Sequence, residues 1–135
     1  MRKLAIAIDG PAGAGKSSVA KILAANMGYA YLDTGAMYRA VTYEVLRQEL
    51  TEEKDIVALA AGMDMTVKPE TDAMHVIVNG HDVTDHIRTP EVSARVSAVS
   101  ALAGVRAAMV EIQRRQAAKG GIVLDGRDIG TTVLP

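Results

Sequence analysis

The 135-residue sequence has no cysteine, no tryptophan and no phenylalanine. Disulfides, iron–sulfur clusters and thiol nucleophiles are thereby excluded, and a structural zinc site loses its commonest ligand. A reducing cytoplasm suits such a chain. The only aromatic residues are Tyr29, Tyr31, Tyr38 and Tyr43. Platforms that stack single-stranded nucleic acid need several exposed rings, so no nucleic-acid polymer is expected as a partner. Charge of one sign is lacking as well. Fifteen basic and 16 acidic residues leave a net charge of −1, which gives a polyanion no electrostatic footprint. No apolar run approaches the roughly 20 residues that span a bilayer. The basic start Met1-Arg2-Lys3 leads into Leu4 to Ile8, an apolar stretch too short for a signal peptide that ends in Asp9-Gly10.

What remains is ordinary globular material. Apolar residues make up 49% and charged residues 23%. A chain of this length fits one domain and should bury roughly two thirds of its unfolded surface. Its order reads as an α/β fold. Leu4 to Ile8 is a short continuous apolar run, the mark of a strand buried on both faces of a parallel sheet. Ser17 to Met27 places Val19, Ala20, Ile22, Leu23 and Met27 at helical spacing before Gly28. Tyr29 to Leu32 is a second strand, Asp33-Thr34-Gly35 a turn, and Ala36 to Leu50 a helix with Met37, Val41, Val45 and Leu46 on one face. A further helix starts near Glu52 and Glu53 and ends at Gly62.

The texture changes at Met63. Thr66 to Lys68 and Met74 to Val78 read as strands, and Asn79-Gly80 is a hairpin signal leading into His81 to Thr84. Thr89 caps and Pro90 opens a helix. Another helix runs from about Val105 to Lys119, and Ile122 to Leu124 is a third apolar strand. His75, His81 and His86 lack helical spacing. With Val78 opposite His81, His75 falls opposite Thr84, so no metal site is expected from them.

Gly10-Pro11-Ala12-Gly13-Ala14-Gly15-Lys16-Ser17 matches G-x-x-x-x-G-K-[ST] between a strand and a helix. Glycines let backbone N–H groups approach phosphate oxygens, and the helix N-terminus adds partial positive charge. Lys16 should reach the β and γ phosphates and Ser17 should ligate Mg²⁺. Ser18 completes the expected ATP-binding stretch. The motif specifies a nucleoside triphosphate and says nothing about the acceptor.

Ligands of open α/β sheets bind at the carboxyl ends of strands. Thr34, Gly35 and Arg39 follow the second strand, with Arg39 one helical turn past Gly35. Its forked guanidinium suits a phosphate, although a solvated helix arginine would read the same. Asp125-Gly126-Arg127-Asp128 follows the third strand. Asp125 is placed to contact Mg²⁺ through its bound water, and Arg127 is a second phosphate candidate. The same four residues could form a local ion-pair knot. Two arginines at separate strand ends favour an acceptor that carries phosphate.

The sequence resembles the cytidylate kinase family of nucleoside monophosphate kinases. The carrying segments are Ile8 to Lys16, Leu32-Asp33-Thr34-Gly35-Ala36-Met37-Tyr38-Arg39, Ile87-Arg88-Thr89-Pro90-Glu91-Val92 and Asp125-Gly126-Arg127-Asp128-Ile129-Gly130-Thr131. The resemblance implies a P-loop kinase-type parallel sheet flanked by helices, formed by residues 1–62 and 101–135. Residues 63–100 would be a small β-rich insert that binds the monophosphate. It also implies that Arg39 and Arg127 hold the acceptor's phosphate, that Thr34 sits beside the acceptor, and that Ser97, Arg106 and Asp128 match positions that read cytosine. The chemistry agrees: a carboxylate such as Asp128 accepts from the N4 amino group of cytosine but repels O4 of uracil, and Arg106 can donate to N3 or O2.

The implied reaction is phosphoryl transfer from Mg·ATP to CMP or dCMP, giving ADP and CDP or dCDP, in the cytoplasm. A monophosphate has a second pKa near 6, so its attacking oxygen is ionised at pH 7 and no catalytic base is needed. Lys16, Arg39 and Arg127 then act by charge neutralisation and positioning. Two alternatives stay open: a nucleotide-binding module without turnover, and a P-loop kinase of another small acceptor. The family orders five parallel strands with the first in the middle, and carries an arginine-rich lid beyond the position of Pro135. The 135 residues alone are therefore expected to be C-terminally incomplete and inactive or weakly active. Leu4 to Ile8 would be an edge strand prone to self-association.

Overall fold

The computed structural model describes residues 5–9, 16–69 and 74–126. Of the expected site, Gly10, Pro11, Ala12, Gly13, Ala14, Gly15, Arg127 and Asp128 lie outside the described residues. Lys16, Ser17 and Ser18 are described as backbone, in the first turn of a helix.

The fold is α/β. Strands β1 (Ala5–Asp9), β2 (Ala30–Asp33) and β6 (Ile122–Gly126) form a parallel sheet in the order β1-β6-β2. The central strand β6 is buried along its whole length, which explains its unbroken apolar run. The two faces separate by alternation along the strands. Tyr31 and Val123 pack on one face against Ala20 and Ala24 of helix α1 (Lys16–Met27). Leu32, Ile122 and Leu124 face the larger core on the other side, with α2 (Thr34–Arg47) and α5 (Ala103–Ala118).

Three expectations are corrected in this layer. Helix α2 begins at Thr34 rather than Ala36, because Asp33 is its N-cap: the Asp33 carboxylate accepts from the Gly35 N–H at 2.9 Å. It ends at Arg47 rather than Leu50, with Glu49 in the left-handed region at φ 54°. Helix α1 buries only part of its apolar set. Its contact rests on Ala20 and Ala24, one turn apart and small enough for close approach, with Leu23 half-buried beside them, while Val19 and Ile22 are 56% and 61% exposed.

A second, antiparallel sheet has the order β3-β4-β5, from Met65–Pro69, Met74–Val78 and His81–Asp82. Asn79 and Gly80 both have positive φ, 50° and 85°, as a tight hairpin turn between right-twisted strands requires. Val78 pairs with His81. Strand β5 stops at Asp82 rather than Thr84, because the Asp82 carboxylate accepts from the Thr84 N–H at 2.9 Å and opens a short 3-10 helix, Thr84–His86. His75 consequently meets Asp82, not Thr84, with Nδ1 3.0 Å from the carboxylate. Thr84 Oγ1 instead accepts from the Val76 N–H.

Helix α4 (Pro90–Ser100) starts as its sequence requires, with Thr89 Oγ1 accepting from the Val92 N–H at 3.3 Å and proline in the first turn. Helix α3 (Glu53–Gly62) packs against α5. Val76, Val78, Val83, Ile87 and Val99 share one core cluster with Leu32, Met37, Val41 and Leu124. Residues 63–100 are thus packed into the main body. Among the described residues no single helix is long and apolar enough to cross a membrane.

Candidate functional site

Parallel pairing fixes where the strand ends meet. Ile8 and Asp33 both pair with Asp125, and Asp9 pairs with Gly126. The carboxyl end of β1, which leads into the glycine-rich motif, is therefore beside that of β6, with β2 on the far side. This edge gathers Asp33, Thr34 and Asp125.

Asp125 is 1% exposed. Its Oδ2 accepts from the Tyr31 hydroxyl at 2.8 Å, and its carbonyl accepts from Thr34 Oγ1 at 2.9 Å. Tyr31 pairs with Val123, so alternation brings it to the face of β6 that Asp125 also uses. The Lys21 ammonium lies 5.7 Å from the centre of the same ring. Tyr31 was not evident as a site residue from sequence. Its signal is the strand alternation, which becomes readable only once the register is known.

Arg39 is placed by α2 and met by the region of residues 63–100. Its Nη1 donates to the Ile87 carbonyl at 3.3 Å and to Ser93 Oγ at 2.9 Å. Arg88 returns in the opposite sense, its Nη2 3.4 Å from Asp33 Oδ2. The N-terminal end of α2 is thus cross-tied twice to the segment that opens α4. Arg88 and Ser93 are both additions that the sequence alone did not single out for a role.

Ser97 and Arg106 are exposed, on α4 and α5 respectively. Arg106 is close enough to act on Tyr38, the residue before Arg39. Burial pushes the Tyr38 phenol above its ordinary value, while the Arg106 charge and a hydrogen bond with the Gln113 side chain pull it back. These interactions bring α5 to the Tyr38 side of α2.

Other polar clusters have structural partners. Buried Glu44 accepts from Arg47 at 2.7 and 3.0 Å, and His86 stacks on Tyr43 with ring centres 5.6 Å apart. Among the described residues no group of three or more acidic or histidine side chains could hold a metal ion directly.

The family described as cytidylate kinase matches residues 6–135 of the chain. A cytidylate kinase of Desulfitobacterium hafniense is 52% identical over 136 aligned residues, covering 99% of this chain and 58% of that protein. A cytidylate kinase of Bacillus subtilis is 52% identical, with 99% and 61% covered. A cytidylate kinase of Enterococcus faecalis is 50% identical, with 100% and 61% covered. The chain spans about 60% of the length of these curated relatives. With the phosphate-loop motif between β1 and α1 and a match over nearly its whole length, the chain belongs to the cytidylate kinase family.

Proposed function

We propose that this chain carries the phosphate-loop and acceptor-binding parts of an enzyme that transfers a phosphoryl group from Mg·ATP to CMP or dCMP. The observation that carries the reading is the sheet edge: Thr34 and Asp125 meet where β1 enters the glycine-rich motif, and Arg39 stands in the second turn of the helix that Thr34 begins. A cation on the helix that follows a strand end suits a substrate that is itself a phosphate.

In this reading residues 1–62 and 101–135 form the kinase core and residues 63–100 the monophosphate-binding insert. Gly10 to Gly15 cradle the ATP phosphates together with Lys16, Ser17 and Ser18. Arg39 and Arg127 hold the acceptor phosphate, and Thr34 lies beside the acceptor. Ser97, Arg106 and Asp128 read the base. The Asp125 donor set fits a role near Mg²⁺: a buried carboxylate at a strand end, already oriented by Tyr31, suits contact through a metal-bound water. Ser17 would be the ligand that this chain gives to Mg²⁺, which would supply charge neutralisation to the transferring phosphate. The acceptor oxygen is ionised before attack, so the protein's task is alignment and charge neutralisation.

The 135 residues by themselves are proposed to bind substrates with little or no turnover. Self-association is proposed as well: β1 lies at one edge of the sheet among the described residues, where an unpaired backbone favours it.

The test is ADP release with CMP, dCMP, UMP, AMP and shikimate as acceptors, using the 135-residue chain and a full-length relative in parallel. CMP and dCMP should be preferred in the relative, and Asp128→Ala at the matching position should shrink the preference for CMP over UMP. A site built around a buried hydrogen bond can discriminate by about 10⁴-fold. Equal loss for CMP and UMP refutes the role of Asp128. Preference for an alcohol acceptor refutes the substrate class.

A further inference from the structure

Arg39 is tied to the region of residues 63–100 through one nitrogen. Nη1 donates both to the Ile87 carbonyl and to Ser93 Oγ, at 3.3 and 2.9 Å. Both acceptors are neutral. Among the described residues no carboxylate pairs with Arg39, and its Nε and Nη2 have no protein acceptor. Three other arginines behave differently: Arg47 pairs with Glu44, Arg88 with Asp33 and Arg115 with Glu111.

This arrangement does two things. Among the described residues it leaves the charge of the guanidinium without a carboxylate partner. It also fixes the group at one corner while its Nε–Nη2 edge stays available, and that edge is a fork matching two oxygens of one phosphate. Holding a long side chain in place beforehand reduces the rotamer freedom lost when ligand binds.

We propose that Ser93 is a positioning residue: its hydroxyl orients Arg39 for the phosphate of the acceptor. The proposal rests on the monophosphate-acceptor reading above. Ser93 lies in the first turn of α4 and Ile87 just before that helix. Ile87 is buried in the shared core, so its carbonyl is a fixed acceptor. Ser93 is exposed, and its hydroxyl is the adjustable half of the clamp. The shorter of the two bonds is the one to Ser93. Ser93 itself touches no reacting group. It acts by deciding where the free edge of Arg39 points.

The experiment is an NMR titration of the 135-residue chain with CMP and, separately, with cytidine, which lacks the phosphate. Wild type, Ser93→Ala and Ser93→Thr are compared. Wild type should bind CMP more tightly than cytidine. Ser93→Ala should weaken CMP by roughly 3- to 10-fold, less than the full worth of a hydrogen bond to a charged group because Ile87 still holds Nη1. Cytidine affinity should not change, so the CMP-to-cytidine ratio falls by the same factor. Ser93→Thr keeps the hydroxyl and should keep the ratio. An unchanged ratio in Ser93→Ala, or equal weakening of both ligands, overturns the positioning role. A raised ratio overturns it too, because the bond would then be withholding Arg39 from ligand. A wild type with no preference for CMP over cytidine refutes the acceptor reading itself, and the proposal with it. Ser93 is exposed in a helical first turn, so alanine should be tolerated there, and amide spectra of the variants report the fold directly.

Discussion

Gly104 stands where α5 packs against Val57 of α3, and replacing it with alanine tests that packing. A Cβ at this position would lie 2.4 Å from Val57 Cγ1, 2.9 Å from Cγ2 and 3.2 Å from Val57 Cβ. The first two distances are shorter than any relaxed contact between carbons. Val57 cannot readily swing aside, since a β-branched side chain in a helix strongly prefers one rotamer. Relief must come from moving α3 and α5 apart. Overpacking of this kind costs about 1–3 kcal/mol, while alanine in place of glycine returns up to about 1 kcal/mol of helix propensity. Gly104→Ala should therefore lower stability by about 1–2 kcal/mol. Val57→Ala removes both Cγ atoms, so the double variant keeps the propensity gain with only the 3.2 Å contact to Cβ left to relax. It should be more stable than the two single effects predict by at least about 1 kcal/mol. Urea denaturation of the four chains, read as midpoint shifts at constant slope, measures the cycle. A Gly104→Ala variant stabilised by the full propensity term, with no coupling to Val57, refutes the close approach of these helices.

Three further outcomes follow from the same contacts and from the proposed chemistry. Thr34→Val keeps the shape of a buried side chain but removes the donor to the Asp125 carbonyl; it should cost about 1–2 kcal/mol in denaturation, with Thr34→Ser close to wild type. Asp82 is held below its ordinary pKa of 3.8, first by the Thr84 hydroxyl, then by the Thr84 N–H, with His75 contributing less. Its stabilising effect is present above about pH 4 and is lost as pH falls through the lowered folded-state value, so Asp82→Asn should flatten acid-side stability, and an unaltered pH profile would contradict the assignment. Lys16→Ala, in a chain length that turns over substrate, should cost on the order of 3–4 kcal/mol in the transition state, and near-normal transfer would remove the phosphate-loop reading.

The main sheet was readable from sequence because its strands obey a local rule. Strands of a covered parallel sheet read as short apolar runs, and Ala5–Asp9, Ala30–Asp33 and Ile122–Gly126 each fall within two residues of the apolar run that announced them, although only the central strand is buried throughout and β1 is half-buried. Caps were readable where one side chain carries the signal, as at Thr89-Pro90 and Asn79-Gly80. Departures arose where two local signals compete. Asp33-Thr34-Gly35 reads as a turn, yet the Asp33 carboxylate converts it into a helix start. The apolar spacing of α1 does not show which side faces the sheet. The choice fell on Ala20 and Ala24, because small residues admit the closest approach to Tyr31 and Val123.

The site divides along a different line. Sequence alone could name residue types at strand ends, since strand polarity fixes that edge: Thr34, Arg39 and Asp125 needed no tertiary information to be nominated. It could not say what holds them, because the partners are remote. Ile87 and Ser93 are 48 and 54 residues from Arg39, and Tyr31 is 94 from Asp125. Two of the nominated groups, Asp125 and Arg39, are held in opposite ways, and each suits a different part of the proposed chemistry. Asp125 is buried and oriented by a phenol, which suits a carboxylate that acts through water on a metal rather than by direct contact. Arg39 is anchored by neutral groups at one corner, which suits a cation that must still meet a doubly charged ligand. Had a carboxylate taken the place of Ser93, Arg39 would spend its charge inside the protein. A Ser93→Asp variant should therefore lose CMP preference more completely than Ser93→Ala, and a variant that retained it would show that the charge of Arg39 is not what the acceptor phosphate meets.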